Sequence, residues 1–166
     1  MIRFNAETLP ERYLHDPEQR KYLALDSEFD FAVEDASQLP TRLKIKTDTG
    51  KHKIKLTWGQ DSNAAVMVRM QHGSEIYIGK NLKGWWDMTA FSDSKIVLQG
   101  ESTTRGKVVV NCGFGNYFEL GLDAMLAEDV RFNIGDQHAI IDLQSCLPIN
   151  SARSSLICGN HLWLGY

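Results

Sequence analysis

The chain has 166 residues, 43% of them apolar and 23% charged, with a formal net charge of −3. That length suits one domain of ordinary size, or one domain with a small appendage. The charge balance excludes a general electrostatic attraction to nucleic acid or to an anionic membrane, and no apolar run approaches the roughly 18 residues of a membrane helix.

The N-terminal stretch MIRFNAETLPERYLHD lacks the basic start and apolar centre of a secretory signal. A cytoplasmic location is expected. Residues 1–50 are polar and contain three of the four prolines, Pro10, Pro17 and Pro40. Short helices interrupted at Pro17 are expected here, and the segment reads as an N-terminal cap or arm. Cys112, Cys146 and Cys158 are odd in number and have no CxxC spacing, which fits free thiols in a reducing compartment. Cys112 and Cys158 sit in apolar, strand-like text and read as small core residues.

After residue 50 the text becomes short β-like runs: KIKLTW, AAVMVRM, EIYIG, SKIVLQG and KVVVNCGF. A step of six from Ile78 meets Gly84, Ala90, Ile96, Ser102, Val108, Phe114, Leu120, Leu126 and Phe132. Four places after these anchors stand mostly small or apolar residues, among them Leu82, Met88, Cys112, Phe118 and Ala124. Such a period predicts an all-β solenoid of flat strands and turns, with three units closing one coil and inward anchors stacking on their equivalents. The predicted stack is Ile78, Ile96, Phe114 and Phe132. An antiparallel β-sandwich is the alternative. The register then slips by two, since the last anchors fall at Cys158 and Leu164. A loop extruded at about residues 137–156 accounts for the slip, and loops on rigid scaffolds commonly carry function.

Two strings carry a family resemblance. VRFNIGDQHAIID (130–142) places an acid two residues before a histidine, and LICGNHLWLGY (156–166) has a Gly-Asn-His-hydrophobic-Trp-hydrophobic-Gly pattern. In this order, behind a six-residue repeat, they resemble hexapeptide-repeat O-acetyltransferases of bacterial capsule and sialic-acid polysaccharides. The resemblance covers about residues 76–166. It implies a left-handed parallel β-helix, acetyl-CoA as acyl donor, a sugar or polysaccharide acceptor, no metal, and a homotrimer with its sites between subunits. It also implies further coils after the Trp163 coil that supply much of the donor groove, so the chain is expected to be the N-terminal portion of such an enzyme.

A sugar hydroxyl is a poor nucleophile at neutral pH, and a histidine of pKa near ~6.5 can take its proton during attack. The resemblance assigns that base to His138. Asp136 is the nearest orienting acid and Asp142 the second. Trp163 is expected to pack on the donor or the acceptor sugar, with His161 beside it in a donor-contacting or structural role. Trp85 and Trp86 are either a carbohydrate platform or packing residues. Transfer to an amine stays open beside transfer to a hydroxyl. Two further readings are a noncatalytic β-helix module that binds glycan or serves as a scaffold, and a zinc β-helix enzyme of the γ-carbonic-anhydrase type. The second needs a close histidine pair, which His15, His52, His72, His138 and His161 do not supply.

Overall fold

The structure is a computed structural model, and it describes residues 1–16, 18, 29–35, 39–47, 55–59, 62–135, 155–158 and 163–164. It is nearly all β, with 57% strand and 4% helix, and its parallel sheets form a β-solenoid of about four turns. Among the described residues no helix is long and apolar enough to cross a membrane.

In chain order the strands are β1 (Ile2–Phe4), β2 (Asp30–Val33), β3 (Leu43–Thr47), β4 (Lys55–Trp58), β5 (Asn63–Met70), β6 (Glu75–Lys80), β7 (Lys83–Ala90) and β8 (Lys95–Gly100). There follow β9 (Thr103–Thr104), β10 (Lys107–Cys112), β11 (Tyr117–Leu120), β12 (Met125–Leu126), β13 (Val130–Ile134), β14 (Ser155–Cys158) and β15 (Trp163–Leu164). They form a seven-stranded sheet (β1-β2-β4-β6-β8-β11-β14), a five-stranded sheet (β13-β10-β7-β5-β3) and a three-stranded sheet (β15-β12-β9). The coil of β8, β9 and β10 visits the three sheets in turn, and β11, β12 and β13 repeat the circuit.

The strands form because their apolar residues alternate. In β5, NAAVMVRM, every second side chain is buried, so one face lines the core and the other is outward. The inward residues stack coil on coil: Leu56, Ile76, Ile96 and Phe118 in one column, and Val66, Trp86, Val108 and Val130 in another. No single coil can bury its own inner face, so the stack shares one core.

The stacking period differs from the expected one. Ile76 to Ile96 and Val66 to Trp86 are 20 residues apart, and Ile96 to Phe118 and Trp86 to Val108 are 22. The column Ile78, Ile96, Phe114 and Phe132, spaced by 18, is therefore corrected. Ile78 lies between Trp58 and Leu98, and Phe132 pairs with Val110. Phe114 is 62% exposed on a corner turn, against Phe91 with ring centres 5.4 Å apart. Most other anchors still face the core, because six is a multiple of the two-residue strand period.

One corner of each coil is a four-residue turn. Ser74, Ser94 and Asn116 donate their backbone N–H to Gln71, Phe91 and Gly113, each at 3.1 Å. The third residue of each turn, Gly73, Asp93 and Gly115, has φ of 71°, 58° and 64°, which Gly and Asp accept readily. These turns stack too, through Asp93 N–H to His72 O and Gly115 N–H to Ser92 O, both 2.9 Å.

Strands β2 and β3 belong to the segment expected as a cap or arm, and both are members of the long sheets. Ahead of them the chain reverses. β1 pairs antiparallel with β2, and Leu9, Tyr13 and Leu14 join the core. Phe4 and Tyr13 each lie with ring centres 5.6 Å from Phe31. Residues 1–14 so cover the first coil, whose inner face would otherwise meet water.

Gly79 sets how closely two coils approach. A Cβ there would lie 2.0 Å from the Gln99 carbonyl oxygen, and backbone cannot move aside. Gly79→Ala is expected to destabilise the fold by about 3 kcal/mol or more, read as a lower urea midpoint. Unchanged stability would mean that the coils can separate locally at no cost.

Candidate functional site

The segment bearing the expected base follows β13 in sequence. β13 ends at Ile134, and Gly113 N–H donates to Ile134 O at 2.8 Å. Gly135 follows with φ +86°, and a Cβ on it would meet Asn116 Nδ2 at 1.9 Å. The positive φ favours glycine here, and a Cβ would also displace the Asn116 side chain. Four residues separate β10 from β11 at this corner, and 20 separate β13 from β14. The register resumes on return: Phe118 pairs with Leu156, Leu120 with Cys158, Met125 with Trp163 and Leu126 with Leu164.

Asp136, His138, Asp142 and His161 lie outside the described residues, as does most of the expected 137–156 loop. Trp163 is described as backbone in β15, in a row with Met125 and Thr103. In that row Met125 is 47% exposed. What is brought together is therefore the frame: β13 leading into the histidine segment, with β14 and β15 receiving the chain on the next coil. Among the described residues, no group of three or more His, Cys, Asp or Glu side chains is placed to hold a metal ion.

The two tryptophans separate. Trp86 is fully buried and donates its indole N–H to Lys83 O at 3.0 Å. Trp85, its neighbour on an alternating strand, points outward and is 53% exposed. The Lys107 ammonium sits 5.3 Å from its ring centre. Lys107 also binds Asp87 at 2.7 Å, and Arg69 binds the other Asp87 oxygen. Burial works against the Asp87 charge, but hydrogen bonds from Lys107 and Arg69 outweigh it and lower the pKa. Alongside, Asn111 donates to Asn133 at 2.8 Å. Cys112 is a buried free thiol, and burial pushes its pKa up to about 11, so it is inert at neutral pH.

The outer face of the seven-stranded sheet carries a groove of about 420 Å³ across β4, β6, β8 and β11. Two register rows build it: Lys55, Glu75, Lys95 and Tyr117, and beside them Thr57, Tyr77, Val97 and Glu119. Val97 faces outward yet is 8% exposed, which makes it the apolar floor. Glu75 and Lys95 pair at 3.3 Å. Glu119 accepts from the Tyr117 hydroxyl at 2.5 Å and from Gln99 Nε2 at 2.6 Å. Burial, then the Glu119 carboxylate, push the Tyr117 phenol up to about 12. Burial, then Glu34, raise Tyr77 likewise. Both phenols stay neutral donors at physiological pH. The hydrogen bonds from Tyr117 and Gln99 hold Glu119 ionised.

The groove residues were missed in the sequence because they lie 20 to 22 residues apart along the chain. Aligning KLTWGQDS, EIYIGKNL, KIVLQGES and YFELGLDA would have exposed both rows.

Asp87→Asn leaves Arg69 and Lys107 without their shared anion. At pH 7 the substitution is expected to cost about 1 kcal/mol, discounted for the exposed Arg69. The lowered pKa means that the charge stabilises above the ordinary value of 3.8 and that this is lost as pH falls through the folded value. The deficit, read by urea unfolding, should therefore shrink below pH 3.8, and a deficit constant with pH would assign it to packing. Compared with known proteins, the chain matches no family model, no curated protein and no solved structure.

Proposed function

We propose that the chain serves acetyl-CoA-dependent O-acetyl transfer. Its acceptor is a hydroxyl of a bacterial surface polysaccharide or of its sugar precursor. One observation supports the reading most. β13, which precedes His138 in sequence, is followed one coil later by β14 and by the Trp163 strand, which pairs beside Met125. The two strings that resemble the acetyltransferases thus belong to consecutive coils at one end of the solenoid. The resembled family has shorter coils than the 20 to 22 residues found here, so the reading rests on the strings and their order.

In this mechanism His138 accepts the acceptor hydroxyl proton as the oxygen attacks the thioester carbonyl. Asp136 holds the imidazole in the accepting tautomer and favours the imidazolium that forms. Backbone N–H groups of the extruded segment donate to the developing oxyanion. Acetyl-CoA enters as a co-substrate that supplies the activated acyl group, and its thiol leaves. The row of Trp163 suits an aliphatic donor arm, since Met125, paired with it, exposes apolar surface. Trp163 and His161 are the proposed donor contacts. Use of acetyl-CoA fits a cytoplasmic enzyme, and the resemblance supports a homotrimer with shared sites.

The second reading, a glycan-binding solenoid without chemistry, is favoured by the groove between Tyr77 and Tyr117. Thiol release from acetyl-CoA separates the two. The wild-type chain is expected to bind acetyl-CoA by calorimetry and to release thiol when a polysaccharide acceptor is added. His138→Ala should keep donor binding and lose about 10²- to 10⁴-fold in turnover. Equal turnover by His138→Ala, or no donor binding by the wild type, would sink the enzymatic reading.

A further inference from the structure

We infer that the groove on the outer face of the seven-stranded sheet is a glycan-binding subsite, holding a sugar unit between Tyr77 and Tyr117 over Val97. The inference concerns binding alone and stands whether or not His138 is catalytic.

The geometry selects the ligand by elimination. A peptide strand needs a free sheet edge with unpaired backbone groups. β6 and β8 are hydrogen-bonded on both sides, so only side chains face the groove. A lipid chain needs an apolar rim, and this rim carries Lys55, Lys95 and Glu75. A nucleic acid needs a strong net positive charge, and the two lysines here face Glu75, with Glu119 bonded to Tyr117 and Gln99 of the lining. The Glu75–Lys95 pair further neutralises the rim.

What the groove does offer is aromatic faces and directed hydrogen-bonding groups. Tyr77 and Tyr117 stand on strands separated by β8, two strand spacings or roughly 10 Å apart. The volume of about 420 Å³ lies within the ~300–1,000 Å³ of small-ligand sites. Both phenols carry raised pKa values and stay neutral, their O–H groups bonded to Glu34 and Glu119, so what they offer a ligand is their ring faces. Gln99 and Glu119, bonded to each other at 2.6 Å, present a carboxylate with lone pairs to spare. Ring faces and fixed acceptors are what the C–H faces and hydroxyls of a pyranose require.

The test is equilibrium binding by calorimetry to the full chain, without acetyl-CoA. The probes are maltohexaose, chitohexaose and hexagalacturonate, which offer neutral, N-acetylated and acidic units. Wild type is expected to bind at least one. Tyr77→Leu and Tyr117→Leu should each weaken it about tenfold or more, while Tyr117→Phe stays within about threefold. Trp85→Ala should bind as wild type. Should a leucine variant unfold, ring resonances of selectively labelled Tyr77 and Tyr117 in the wild type are expected to shift during titration. Failure of all three probes to bind, static tyrosine resonances, or binding abolished by Trp85→Ala but not by the tyrosine variants would each overturn the inference.

Discussion

Parallel backbone ladders between successive coils are the constraint on which everything else depends. Each strand is hydrogen-bonded to its equivalent one coil away, so side chains at equivalent positions stack in columns. A residue must then suit the residue above it and the one below it. Inside, this yields the column from Leu56 to Phe118. Outside, it yields rows, and a row is a surface feature that no single coil owns. The groove and the Asn111–Asn133 pair are both products of stacking.

The ladder also explains which positions tolerate no side chain. Strands in a flat stack lie about 4.8 Å apart, and corners bring backbones closer still. Gly79 meets the backbone carbonyl of Gln99, and Gly135 meets the side-chain amide of Asn116. The first spaces two coils, and the second follows the last residue of β13. Pairing in register is resumed at β14.

The two outer faces differ in character although they come from the same coils. On the five-stranded sheet Asp87 is locked between Arg69 and Lys107, and Trp85 is shared with Lys107. Those groups satisfy one another. On the seven-stranded sheet the polar groups are also bonded, but they border a groove whose apolar floor, Val97, they nearly cover. A concave region with an apolar floor and oriented donors is the feature that favours a ligand there.

The sequence by itself determined the class of the fold. Alternation in strings such as AAVMVRM and KVVVNC fixes strands with one buried face, and their repetition after residue 50 requires stacking. It also marked the strings around His138 and Trp163, because a local motif is legible wherever its residues are adjacent. The coil length was not legible from a six-residue step. Any even step along a strand lands on the inner face, so most anchors fit a period that the stack does not use. Only the tertiary structure decided that Ile96 lies over Ile76, that Phe114 turns outward and that Trp85 and Trp86 part to opposite faces. The Tyr77–Tyr117 groove was decided there as well. Its members are neighbours across hydrogen bonds rather than along the chain, and the register that joins them is set by the whole core.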